Sequence, residues 1–238
     1  MKDLNTEKKI AVLIDADNAS RQKLGPILDE LNKHGHLVVK KAYGDWSKDN
    51  LKNWPTALNE HAIDSVQQFA YTTGKNATDS KMIIDAMDLL YTGKFDAFAI
   101  VSSDSDFTAL ATRLRTSEIF VFGFGESKTP TAFRNACDDF VFTENLGEEP
   151  KHITTDQKDR KAVERLLIKA WQDKSGDDGW LDLGQAGSLL KRQRPDFDHR
   201  SFGAKTFAEF VKSFSPSIEV ERISRVKGKA PVTAMRVS

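Results

Sequence analysis

Two short apolar runs, Ile10–Ile14 (IAVLI) and Ala97–Val101 (AFAIV), both break off into acidic residues. The first leads into Asp15-Ala16-Asp17-Asn18, the second, through Ser102 and Ser103, into Asp104-Ser105-Asp106. An apolar run this short, bounded by polar residues, reads as a strand buried on both faces in a parallel sheet. The acids then stand at the C-terminal ends of strands, and in an open α/β sheet that edge is where ligands bind. Asp and Ser are also favoured helix caps, so one of Asp104 and Asp106 could simply start the helix Phe107–Arg115. Capping does not need the second carboxylate, and two carboxylates about 4 Å apart repel by about 1 kcal/mol in water and several-fold more near protein.

The intervening chain supplies the alternation that such a sheet needs. Leu24, Ile27, Leu28 and Leu31 fall at helical spacing within Ser20–Lys33, with Gly35 as a plausible C-cap. His36–Ala42 reads as a strand, Asn50–Ala62 as a helix started or broken at Pro55, and Ile63–Tyr71 as another strand. Lys75–Tyr91 reads as a helix with Met82, Ile83, Ala86, Leu89 and Leu90 on one stripe and Asp85 and Asp88 off it. Asp79 sits in its opening turn, where a carboxylate also suits the helix dipole. A helix that follows a strand in a parallel α/β unit starts at the strand's C-terminal edge, so Asp79 begins beside Asp15 and Asp104. Glu118–Gly125 and Phe140–Phe142 add strands, and Thr131–Cys137 a short helix. Gly123-Phe124-Gly125 lacks the third glycine and the following helix of a dinucleotide fingerprint. The fold class is α/β: a Rossmannoid parallel sheet with helices on both faces.

Gly, Pro and charges at Asn145–Thr155 interrupt this pattern, giving a first domain over 1–145, a linker over 146–156 and a second domain over 157–238. In the second, Arg160–Trp171, Trp180–Leu190 and Ser201–Phe214 read as helices. Ile218–Val226 and Val232–Val237 read as a hairpin around Lys227-Gly228-Lys229, which completes a winged-helix-like pattern. The formal net charge of zero hides unlike halves. Residues 1–150 carry 17 Lys+Arg and 23 Asp+Glu, a net of −6; residues 151–238 carry 18 and 12, a net of +6. The basic excess, including Arg192, Arg194, Arg200, Lys205, Arg222, Arg225, Lys227, Lys229 and Arg236, suits salt-sensitive phosphate binding. Trp180 and Phe202 could stack on bases, though aromatics at helical spacing also build cores.

Hydrophobic content of 39% and charged content of 29% describe a globular chain. No apolar run has membrane-helix length, and MKDLNTEKK is not a signal peptide, so the expectation is a cytoplasmic protein with no membrane partner. The single Cys137 excludes an internal disulfide and any multi-cysteine metal site, and reads as a small core residue.

Asp15, Asp79, Asp104 and Asp106, with Asn18 as a neutral oxygen donor, would gather on one edge. Four carboxylates in one cleft do not all stay ionised without a counter-charge. Hard divalent cations, Mg²⁺ or Mn²⁺, are the usual answer, and no His or Cys cluster points to zinc. Such a site activates water and stabilises charge on a phosphoryl oxygen.

The segments IDADNAS at 14–20, K-x-x-x-D with its helix at 75–85 and SSDSDF at 102–107 resemble the NYN domain, a PIN-like nuclease fold, in its bacterial LabA-like branch. The resemblance spans about 8–145 and implies a metal-dependent ribonuclease with Asp15, Asn18, Asp79, Asp104 and Asp106 around the ion. Ser103 and Ser105 stand where the family often has glycines. The tail, DGWLDLGQAGSLLKRQRPDFDHRSFGAKTFAEFV at 178–211, is similar to the OST-HTH or LOTUS domain, a winged-helix module associated with RNA binding. The implied partner is RNA, single-stranded or structured, contacted by Lys75, Arg192, Arg194, Arg200, Lys205, Lys227 and Lys229, with a homo-oligomer or a protein partner of the second domain also open. Two other readings stand beside it. One is a catalytically silent RNA-binding regulator. The other is a phosphomonoesterase, since Leu13–Asp17 resembles the haloacid-dehalogenase nucleophile motif, although Ala19 occupies a position where that motif needs Thr or Val.

Overall fold

β1 (Lys9–Asp15) is buried from Ile10 onward, and β4 (Ala97–Val101) at every residue, so both are interior strands with no solvent face. The computed structural model describes residues 7–69, 77–147, 157–224 and 230–238. The chain forms two compact units, Met1–Glu149 and Pro150–Ser238.

In the first unit β1 and β4 are joined by β2 (His36–Gly44), β3 (Asp64–Gln67), β5 (Phe120–Gly125) and β6 (Asp139–Phe142). They form one six-stranded sheet in the order β3-β2-β1-β4-β5-β6, every pair parallel. Alternate residues feed opposite layers. Ile10, Val12 and Ile14 join Ala97, Ala99 and Val101 in a core closed by Leu24, Ile27, Leu28 and Leu31 of α1 (Leu24–Leu31) and by Trp54, Ala57 and Leu58 of α2 (Trp54–Glu60). Ala11, Leu13, Phe98, Ile100 and Val121 face the other way and are equally inaccessible. On that side lie Met82 and Ala86 of α3 (Ala77–Tyr91), Leu110, Ala111 and Leu114 of α4 (Thr108–Thr116) and Phe133 of α5 (Thr131–Ala136), all buried. The α/β class and its helices on both faces are thus as the sequence predicts. Cys137 is a buried core thiol, its ionisation pushed up by burial. Among the described residues no helix is long and apolar enough to cross a membrane.

Three local expectations are corrected. Gly35 is not a left-handed cap. A Cβ there would lie 2.3 Å from the Lys8 carbonyl oxygen, so glycine is required by the close approach of the chain entering β1. Asp85, expected off the apolar stripe of α3, is only 8% exposed, because Lys41, Lys81 and Tyr43 supply it with partners inside the packing. Leu146, expected to open the linker, is 2% exposed, and the Lys23 ammonium donates to its carbonyl at 2.6 Å.

The second unit packs α6 (Gln157–Lys174), α7 (Leu183–Gln193) and α8 (Phe207–Lys212) against a three-stranded antiparallel sheet. Its strand order is β7-β9-β8, from β7 (Leu181–Asp182), β8 (Ile218–Ile223) and β9 (Val232–Val237). The helix expected from Trp180 starts later because Asp182 caps α7, accepting from the Gly184 and Gln185 amides, while Leu181 pairs with Met235. The helix expected over Ser201–Phe214 is interrupted at Gly203, whose φ of 81° lies in the left-handed region. Phe202 packs on Phe197 and Phe210, at 5.9 and 4.8 Å between ring centres, so its role is in the core.

Candidate functional site

Chain order along the first sheet reverses between β1 and β4, which are adjacent and paired up to Ile14 and Val101. That is the topological switch point, where diverging crossovers leave a crevice above the strand ends. Asp15, the last residue of β1, is fully buried there. One carboxylate oxygen accepts from Ser102 Oγ at 2.7 Å and Asn18 Nδ2 at 2.9 Å, the other from the Asp17 amide at 3.1 Å. Burial pushes its pKa up against the lowering effect of these hydrogen bonds. Ser102 ties the two strand ends together: its hydroxyl donates to Asp15 and accepts the Asp104 amide at 3.0 Å.

Asp104 does act as a cap, its Oδ1 accepting the Asp106 amide at 2.9 Å at the start of a short 3-10 turn, Ser105–Phe107, that leads into α4. The second carboxylate is not used up by that role. Asp79, from the first turn of α3, brings one oxygen into a group with oxygens of Asp104 and Asp106, all within 4.8 Å of one another. Burial, and then the charges of Asp15, Asp104, Asp106 and Asp17, push the Asp79 carboxyl up to about 6. The donor set fits a hard cation. Ligand oxygens held directly on Mg²⁺ at about 2.0–2.1 Å lie at most about 4.2 Å apart, so small side-chain movements, with water filling the other positions, would close the three carboxylates on one ion. A divalent charge would also relieve the repulsion that raises Asp79.

Of the expected site residues, Asp79, Asp104 and Asp106 come together, Asp15 is joined to them through Ser102, and Asn18 holds Asp15. Ser102 was not anticipated; its only sequence signal is a hydroxyl directly after an apolar run. Lys48 was not anticipated either. It lies in the loop after β2 and reaches Asp17 Oδ1 at 3.0 Å.

The basic residues of the second unit divide into two kinds. Arg194 is committed to Asp159 at 2.6 Å and Asp196 at 3.6 Å. Arg200 grips Asp198, which is only 5% exposed, through Nε at 2.9 and 3.0 Å and Nη2 at 2.8 Å. Arg236 pairs with Glu219 at 2.6 Å and covers the Trp180 ring at 4.8 Å. Arg192 in the last turn of α7, Lys205 and Arg222 are exposed. Lys75, Arg225, Lys227 and Lys229 lie outside the described residues.

Comparison with known proteins matches residues 9–145 to the NYN domain and residues 156–229 to the OST-HTH/LOTUS domain. An uncharacterised protein of Methanocaldococcus jannaschii is 27% identical over 155 residues, covering 60% of this chain and 57% of that protein; the chain spans little more than half of its relative's length. Among solved structures, a protein of unknown function from Vibrio parahaemolyticus shares 19% identity, with 60% of this chain and 95% of that one covered and a TM-score of 0.49. An uncharacterised protein of Nitrosomonas europaea shares 27% identity over 39% of this chain and 82% of its own, with a TM-score of 0.30.

Proposed function

Because the chain belongs to the NYN domain family and joins that domain to an OST-HTH/LOTUS domain, we propose that it is a Mg²⁺- or Mn²⁺-dependent ribonuclease that cleaves RNA phosphodiesters. NYN domains are of the PIN-like nuclease type and OST-HTH/LOTUS domains are of an RNA-binding type, so a nuclease-like domain and an RNA-binding one occupy a single chain. The observation that carries the reading is the convergence of Asp79, Asp104 and Asp106 at the switch point of the sheet, with Asp79 raised to about 6 by burial and by its like-charged neighbours. Three carboxylates brought together in this way are a hard-oxygen donor set suited to a divalent cation, and their negative charge disfavours an unaccompanied phosphate.

Asp79, Asp104 and Asp106 would hold the ion, and Asp15, fixed by Ser102 and Asn18, would set the positions of the loop that carries Asp104. The bound ion supplies an activated water and a positive charge for the phosphoryl oxygens. The buried hydrogen-bond network at Asp15 keeps the carboxylates in place before substrate arrives, which reduces reorganisation during reaction. Exposed cations of the second unit, Arg192, Lys205 and Arg222, would add phosphate affinity that the acidic cleft lacks.

The test is cleavage of labelled single-stranded RNA by the full chain with Mg²⁺ or Mn²⁺, beside an Asp104→Asn/Asp106→Asn protein shown by circular dichroism to be folded. The wild type should cut only with metal, and the double variant should fall by at least about 100-fold. Equal RNA binding by both with cutting by neither would convert the reading to an RNA-binding regulator.

A further inference from the structure

Resting on the ribonuclease reading, we propose that the substrate is an unpaired RNA strand that leaves the aspartate cluster along the β2–β3 side of the sheet edge, with Lys48 meeting a phosphate and Phe69 stacking under a base. Register puts the parts at one level. Asp15 pairs with Tyr43 and Tyr43 with Val66, and the Gln68 amide continues the ladder by donating to the Gly44 carbonyl at 3.0 Å. Asp17, the loop carrying Lys48, and Phe69 therefore leave the same edge just beyond adjacent strand ends. Strands lie about 4.8 Å apart, which sets β3 two spacings, about 10 Å, across the sheet from β1, with Phe69 just beyond its end. A short stretch of extended single strand covers that distance.

The Lys48 loop is held rigidly. The buried Asp45 carboxylate accepts from Ser47 N at 3.2 Å, Ser47 Oγ at 2.6 Å and Gln67 Nε2 at 2.8 Å, the Trp46 amide donates to Gln67 Oε1 at 3.0 Å, and the Lys48 amide donates to the Asp45 carbonyl at 3.0 Å. The Lys48 ammonium rests on Asp17, in an ion pair whose side chains are 41% and 26% exposed. A pair so open to solvent contributes little to stability, so a phosphate can replace Asp17 at small cost. Phe69 is 52% exposed at the end of β3. An exposed aromatic ring on the same sheet edge as a cation is the kind of surface on which unpaired bases stack, whereas the bases of a duplex are already stacked on each other. The opposite side of the edge is unsuited. The ends of β5 and β6 are followed by Glu126 and Glu144; Glu126 holds Lys128 at 2.8 Å, and Glu144 accepts the Ser127 amide.

The experiment uses the full chain and a short unstructured oligoribonucleotide carrying 2-aminopurine, with the same sequence paired to its complement as the control, Ca²⁺ replacing Mg²⁺. Wild-type protein should quench 2-aminopurine in the single strand, as stacking does. Phe69→Ala should lose the quench and about tenfold in single-strand affinity, and Phe69→Tyr should keep both. Lys48→Gln should lower the slope of log affinity against log salt by about one. Duplex affinity should not change in any variant. Retention of quench and affinity by Phe69→Ala, or equal loss on single strand and duplex, would overturn the proposal. The readout is binding, so absence of metal-dependent cutting would overturn the ribonuclease reading alone.

Discussion

Asp79 and Asp85 lie on the same helix and are the same residue, yet the chain treats them in opposite ways. Asp85 accepts from Lys81 at 2.7 Å, Lys41 at 3.2 Å and the Tyr43 hydroxyl at 3.2 Å; burial would raise its pKa, but hydrogen bonds from the two lysines outweigh it and the value is lowered. Asp79 faces Asp15, Asp104 and Asp106 and is pushed up to about 6. One carboxylate is satisfied by the protein itself and fastens α3 to β2. The other has its pKa raised by burial and by neighbouring carboxylates, at the point where sheet topology opens a crevice. Perturbation of that kind, at the switch point of a sheet, is the pattern of a binding site and not of a structural ion pair.

Asp85→Ala should have the largest effect on folding. It leaves a buried Tyr43 hydroxyl and two facing ammonium groups without their shared acceptor, and should cost about 2–3 kcal/mol in urea denaturation. If the loss were below the scatter of surface substitutions, Asp85 would not be the anchor that the contrast requires.

Asp79→Asn should act the other way. The folded value near 6 lies above the 3.8 of an ordinary aspartate, so the fold favours neutral Asp79. That preference is fully expressed below 3.8 and is lost as pH rises through about 6, beyond which the ionised group weighs against the metal-free fold. Asparagine cannot ionise. In EDTA the variant should match the wild type at low pH and exceed it at neutral pH by about 1 kcal/mol, a figure already discounted for solvent screening at this partly exposed group. Mn²⁺ at ten times its Kd should raise wild-type stability by about 1.4 kcal/mol and that of Asp79→Asn much less. Thermal melts across pH, with and without Mn²⁺, read both effects; a wild type that gains nothing from Mn²⁺ would remove the distinction between the two acids.

The sheet was legible because the two features that define it, apolar runs and the acids that end them, are contiguous in sequence. The α/β alternation and the gathering of Asp79, Asp104 and Asp106 follow from chain direction alone. What the sequence hid depends on partners far along the chain. Asp85 looks like a solvent-facing acid until β2 presents Lys41 and Tyr43, 44 and 42 residues away. Ser102 looks like a spacer until Asp15, 87 residues earlier, arrives at its hydroxyl. Gly35 mimics a cap because only the backbone of Lys8 reveals why no side chain fits. Local pattern carries strand and helix; it does not carry which long-range neighbour a polar atom will find.

The same blindness governs the arginines of the second unit, where the smallest effect is expected. Arg192 and Arg200 look alike in sequence, but Arg200 neutralises the buried Asp198, whose pKa its hydrogen bonds lower against the effect of burial, while Arg192 projects from the last turn of α7. Arg200→Ala strands a buried charge and belongs with Asp85→Ala among the losses of folding. Arg192→Ala should leave stability unchanged and weaken RNA binding a few-fold, nearly uniformly across sequences, with the salt slope reduced by about one. Anisotropy titrations at several salt concentrations separate these outcomes. A change in sequence preference without a change in slope would make Arg192 a reader of bases, and no change in either would place the phosphate contacts of this unit elsewhere on its surface.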